Sequence, residues 1–115
     1  MKYKGLKEFR KSLRLINKIR TERGIAYGDG WRKAPLLYNI YQLYGKVLRM
    51  LWIVVEDKSM GNKYEKLIDT AADATIYSFF ILETIMDIKD EIEKLNLNKR
   101  ELEKYVKRRF FDIIK

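Results

Sequence analysis

Apolar residues recur at every third or fourth position through almost the whole chain, the spacing of side chains that share one face of an α-helix, and no stretch keeps the alternation of a strand. Four helices are predicted. In the first, Leu6, Phe9, Leu13 and Ile16 form the apolar stripe, Lys7, Lys11, Arg14 and Lys18 occupy the opposite face, and Gly24 is the expected stop. A loop follows from Tyr27 to Arg32, and Pro35 stands where the first turn of a helix tolerates a missing N–H. The second helix, Leu36 to Glu56, is apolar on most sides from Val47 to Val55. Asp57 to Gly61 form a turn, and Asn62 with Glu65 makes a capping-box signature for a third helix running to about Lys94. Asn98 with Glu101 repeats that signature for the last helix, whose stripe is Leu102, Val106, Phe110 and Ile113. The fold class expected is all-α, a four-helix bundle-like arrangement around a long central helical hairpin in one domain.

Two central helices that are hydrophobic nearly all round are hard to cover with two amphipathic partners in 115 residues. A homo-oligomer, dimer or tetramer, is therefore expected. Tyr38, Tyr41 and Tyr44, on consecutive turns of the second helix, read as packing or interface residues.

Composition narrows the chemistry. The chain has no cysteine and no histidine, which excludes disulfides, thiolate or imidazole metal sites and His-based nucleophile arrangements. A metal would need oxygen ligands, which favours Mg²⁺ or Mn²⁺. The first residues are charged and the apolar runs are broken by Arg49, Asp73 and Glu83, so a cytoplasmic protein with no membrane role is expected. Abundant Lys, Arg and Glu with a single Gln suit a thermophile.

Charge is unevenly placed: residues 1 to 33 carry net +8, residues 34 to 97 net −3 and residues 98 to 115 net +4. The outer helices are basic and the inner hairpin acidic. Lys7, Arg10, Lys11, Arg14 and Lys18, with Lys104, Lys107, Arg108 and Arg109 of the last helix, provide faces that fit a nucleic-acid partner through its phosphates. No helix-turn-helix pattern or aromatic interleaving accompanies them, and a solvated basic face explains the same pattern.

The most informative residues are Asp69, Asp73 and Tyr77, at successive i, i+4 positions of an otherwise almost wholly apolar stretch. Carboxylates taken toward an interior require a compensating cation. Glu65, Asp69 and Asp73 share one helix face with neighbouring Cβ atoms about 5 to 6 Å apart, close enough to share a divalent ion. The same spacing fits a structural arrangement in which Arg49 neutralises Asp73 while Glu65 and Asp69 face solvent.

The order Tyr27-Gly28-Asp29-Gly30-Trp31, then Lys46 and Arg49, then Glu65, Asp69-Thr70, Asp73 and Tyr77 resembles the MazG-like proteins of the nucleotide-modification-associated type, relatives of the all-alpha nucleoside triphosphate pyrophosphohydrolases. The resemblance spans about Ile25 to Ile85. It implies a nucleoside triphosphate partner and a Mg²⁺ ion held by Glu65, Asp69 and Asp73. It further implies phosphate contacts from Lys46 and Arg49 and base stacking by Trp31 or Tyr77. Gly45, Ile76 and Ala26 depart from the family pattern, and the second helix has no carboxylate before Glu56. The expectation is thus a Mg²⁺-dependent pyrophosphohydrolase or a relative that keeps the fold without the reaction, with a small basic nucleic-acid-binding protein as the alternative.

Overall fold

The computed structural model describes residues 5–28, 34–58 and 61–111, and these form an all-α bundle of four helices: α1 (Leu6–Tyr27), α2 (Leu36–Val55), α3 (Lys63–Leu95) and α4 (Lys99–Phe111). At 1.5 Å per residue α3 is about 50 Å long, close to the molecule's largest dimension of 56 Å. It is the element on which α1 and α2 assemble; α4 packs against α2.

Local chemistry explains the helix ends. Gly24 does not stop α1: the helix continues one further turn, and the N–H of Gly28, at φ 74°, donates to the Gly24 carbonyl at 2.8 Å. Glycine is favoured there because a side chain would strain that backbone. The expected cap at Asn98 forms, its Oδ1 accepting the Glu101 N–H at 2.9 Å. The matching box at Asn62 does not: Asn62 occupies the N-cap without a side-chain hydrogen bond, and the Lys66 N–H bonds its backbone carbonyl instead. Asn96, at φ 48°, ends α3 in the left-handed conformation that asparagine tolerates.

Helices α2 and α3 make the most extensive contact in the molecule. On α2 the inward row is Leu36, Asn39, Leu43, Lys46, Met50 and Ile53, alternating steps of three and four residues, all buried or half-buried. That is the spacing of a helix pair that stays in contact along its length. The hairpin is closed by α3 reaching back: Lys63 Nζ donates to the carbonyls of Val54 (3.3 Å) and Asp57 (3.2 Å), and Lys66 Nζ pairs with Asp57 Oδ2 at 3.0 Å. Lys63 thus satisfies a carbonyl of the last turn of α2 and one just beyond it, where helical partners are lacking, while Lys66 holds the Asp57 carboxylate.

Helix α1 docks on α3 as well. Ile16 meets Ala72, Ile76 and Phe80 in a small core, with Ile19, Tyr77 and Phe79 at its margin. The expected α1 stripe is only partly used: Leu6, Phe9 and Leu13 are exposed, so α1 docks by its C-terminal half. On α4, Leu102, Val106 and Phe110 are half-buried and Tyr105 is the buried residue; Ile113 lies outside the described residues.

The burial pattern predicts that Phe80→Ala, which empties a fully buried position, lowers the free energy of unfolding by about 3–5 kcal/mol. Phe9→Ala, at a side chain more than half exposed, should change it by less than about 1 kcal/mol. Paired denaturant titrations followed by circular dichroism measure the contrast; equal losses would place Phe9 in a core.

Candidate functional site

The heptad that begins with Phe9, Leu13 and Ile16 continues through Arg20, Arg23 and Tyr27, so the docking face of α1 changes from apolar to cationic without changing direction. Each arginine finds a carboxylate on α3. Arg20 grips Glu83 in a bidentate pair, both N–O distances 2.6 Å, and its guanidinium lies 4.9 Å from the centre of the Phe80 ring. The hydrogen bonds to Glu83 hold the Arg20 pKa above its ordinary value, burial acts in the opposite direction, and the Glu83 charge adds to the rise. A base with a raised folded pKa stabilises fully below its unfolded value and loses that contribution only as pH climbs through the folded one. For Arg20 that range lies beyond ordinary alkaline conditions, so its own titration adds no pH dependence near neutrality.

One turn further along α1, Arg23 Nη1 bonds Asp73 Oδ1, and Lys46 Nζ of α2 lies 3.3 Å from Asp73 Oδ2. One carboxylate therefore accepts a cation from each of two helices. Its side chain is 16% exposed, against 36% for Arg23 and 30% for Lys46, so the pairing is neither dry nor fully screened. With two cations and one anion, the trio retains a positive charge.

These side chains line a cleft of about 430 Å³ bounded by Arg23, Tyr27, Lys46, Asp73 and Tyr77. That volume falls within the range of small-molecule sites, roughly 300–1,000 Å³. The Tyr77 ring stands perpendicular to Phe80 at 5.9 Å, which braces it against the core. Arginine has five N–H donors and lysine three, so Arg23 and Lys46 retain donors for a second anion while still holding Asp73. Chemically the cleft sets two cationic side chains and one carboxylate between two phenol rings.

The residues read from the sequence divide between this cleft and elsewhere. Lys46, Asp73 and Tyr77 meet in it, joined by Tyr27 from the loop motif. Arg49 does not approach Asp73 as its charge partner; it is exposed, on the polar row of α2 with Gln42 and Glu56. Hairpin register is the reason. Asp57 and Lys63 clasp the turn, Lys46 lies about 16 Å before Asp57 along α2, and Asp73 lies about 15 Å beyond Lys63 along α3. Lys46 is thereby level with Asp73, and Arg49 falls one turn nearer the turn of the hairpin.

Glu65 and Asp69 are exposed, and among the described residues no three acidic side chains converge on a point where they could share a metal ion. Asp73, the third member of the proposed metal set, is occupied by its two cations. Trp31, the other candidate stacking residue, lies outside the described residues, as do Asp29 and Gly30. Lys7, Arg10, Lys11, Arg14 and Lys18 are exposed on α1; Lys104, Lys107 and Arg108 are exposed on α4, where the Arg108 guanidinium lies 5.5 Å from the Tyr105 ring centre. The basic Arg109 is half-buried and pairs with Glu91 at 3.5 Å.

Arg23 and Tyr27 complete the cleft, and neither was singled out as a site residue from the sequence. The signal was present: extending the α1 stripe by its own period reaches both. No family model, curated protein or solved structure matches this chain. Among the described residues, no helix is long and apolar enough to cross a membrane.

Asp73→Ala would leave Arg23 and Lys46 facing each other without their shared anion. It should destabilise the protein by about 1–3 kcal/mol, whereas Asp69→Ala, at an exposed position, should cost under about 0.5 kcal/mol. Raising salt should narrow the difference by screening the two orphaned cations, and thermal melts at low and high ionic strength would read this directly.

Proposed function

We propose that the α1–α2–α3 cleft binds the phosphate groups of a nucleotide, and that the chain is a MazG-like nucleotide-binding protein. The observation that carries this reading is convergence. Tyr27, Lys46, Asp73 and Tyr77 come from three separate motifs of the resemblance, and all four line one cleft with Arg23.

In this reading Arg23 and Lys46 receive the phosphate oxygens, a role suited to a planar guanidinium and a mobile ammonium acting together. Asp73 keeps both cations extended toward the cleft and prevents them from separating. Tyr77, held by Phe80, or Tyr27 offers a flat face to the base. Arg49, Glu65 and Asp69 act outside this first set of contacts. The donors around Asp73 do not make a cage for a free metal ion. Mg²⁺ fits this site as a companion of the nucleotide, which commonly brings the ion with several of its waters and requires only one or two protein carboxylates. The reading is therefore one of binding, with no hydrolytic step assigned.

A ligand that binds only the folded chain raises its melting temperature. The expected result is a rise with non-hydrolysable nucleoside triphosphate analogues plus Mg²⁺, and a smaller rise with inorganic triphosphate. Arg23→Ala or Lys46→Ala should each weaken binding about tenfold or more, since each removes a charge-assisted hydrogen bond. Tyr77→Ala should leave inorganic triphosphate binding intact and reduce the preference for the nucleoside form. Absence of any shift with every nucleotide, at low salt and with Mg²⁺ present, would sink the proposal.

A further inference from the structure

Helix α1 runs further than its dock. Its C-terminal half is held on α3 through Ile16, Ile19, Arg20 and Arg23. Leu6, Phe9 and Leu13 open the same apolar stripe, yet all three are exposed, Phe9 by 54%. The bundle therefore takes one half of the stripe and leaves the other in water.

A basic row runs beside the open half. Lys7, Arg10, Lys11, Arg14 and Lys18 follow one another at helical spacing, and every one is exposed. Among the described residues no carboxylate pairs with any of the five, and Glu8 is the only acidic residue between Leu6 and Lys18. Arg10 stands one turn from both Leu6 and Leu13, so the cations border the apolar side chains directly. The N-terminal half of α1 is thus an amphipathic surface with unspent positive charge and unburied apolar area side by side.

We propose that this half of α1 seats the protein on an anionic lipid bilayer. Leu6, Phe9 and Leu13 enter the boundary between headgroups and acyl chains, and the five cations meet the lipid phosphates. The long stems of Arg10 and Arg14 lie along the apolar boundary while their charged ends stay with the headgroups. One occupant then uses both parts of the face. A nucleic-acid duplex would answer the cations with its phosphates but give the three apolar side chains nothing to bury against. A second copy meeting this face across a two-fold axis would oppose two rows of like charge.

The expectation of no membrane role drew on apolar runs too short and too interrupted to span a bilayer, and no described helix can cross one. A helix lying in the surface needs only one apolar face. Attachment through three apolar side chains and a row of cations is reversible and governed by salt and lipid charge. The face is separate from the nucleotide cleft. Arg23 lies ten residues beyond Leu13, about 15 Å along the helix, so the two readings fail independently.

Co-sedimentation of the full chain with vesicles tests the assignment. At low salt, vesicles of equal parts phosphatidylcholine and phosphatidylserine should bind the protein at least about tenfold more tightly than phosphatidylcholine alone, and high salt should release most of it. Phe9→Ser with Leu13→Ser should lower that affinity about tenfold while helical circular dichroism and binding of a short DNA duplex stay unchanged. Lys11→Glu with Arg14→Glu should lower vesicle binding by more than about tenfold. Failure of the wild type to bind anionic vesicles overturns the proposal, as does equal binding to neutral ones. Undiminished vesicle binding by the Phe9 and Leu13 variant would mean adsorption by charge alone and would overturn it equally. If that variant loses helicity, Phe9→Ser alone replaces it, with a loss of about threefold expected and no loss counting against the assignment. A duplex that displaces the vesicles whether or not Phe9 and Leu13 are present would make α1 a nucleic-acid surface instead.

Discussion

The carboxylate of Asp73 is the group on which the arrangement of three helices turns. It belongs to α3, yet its two oxygens are held by Arg23 from α1 and Lys46 from α2. Any sliding of α1 or rotation of α2 separates a cation from a partly buried anion and leaves a charge without its partner. The small core of Ile16, Ala72, Ile76 and Phe80 supplies attraction without much direction. The ion trio supplies direction, since each oxygen accepts from one defined side chain. The same device leaves a net positive charge in the cleft, so the feature that orients the helices also sets the electrostatics of the proposed site.

Helices α2 and α3 express a different constraint. Their contact uses one row of α2, and the hairpin is clasped at its turn by Lys63, which bonds the carbonyls of Val54 and Asp57, and by Lys66, which holds the Asp57 carboxylate. This ties the register of the pair to polar contacts as well as to apolar packing. The freedom left to α2 is then spent outward. A helix whose other apolar rows face solvent is an incomplete element, and the elongated shape of the molecule follows from having so little chain to wrap around a 33-residue helix.

Much of the fold was legible locally. The four helices and the cap at Asn98 depend on residues within a few positions of one another, and periodicity or capping chemistry reports on that scale directly. Gly24 misled because glycine is only permissive: it lets a helix stop without requiring it, and Gly28, four residues on, had the conformation that demands glycine. The cap at Asn62 failed for a related reason. A side chain that can cap does so only when its backbone angles aim it at the first turn, and Asn62 stands at φ −129° and ψ 23° without such a bond.

The site divides along the same line. That Asp73 needed a cation was determined by the sequence, because an acid inside an apolar helical stretch must be compensated whatever the topology. That Tyr77 lies on the Asp73 side of α3 was likewise determined, by helical spacing alone. Which cations arrive was decided by tertiary structure. Lys46 prevails over Arg49 because the clasp at Asp57, Lys63 and Lys66 sets how far each helix runs from the turn. Arg23 enters because α1 docks by its C-terminal half, a choice that depends on where Phe80 and Ile76 offer a surface to Ile16. Local pattern states what each segment must bury or neutralise; only the packing of whole helices, set by turn length and shape complementarity, states with what.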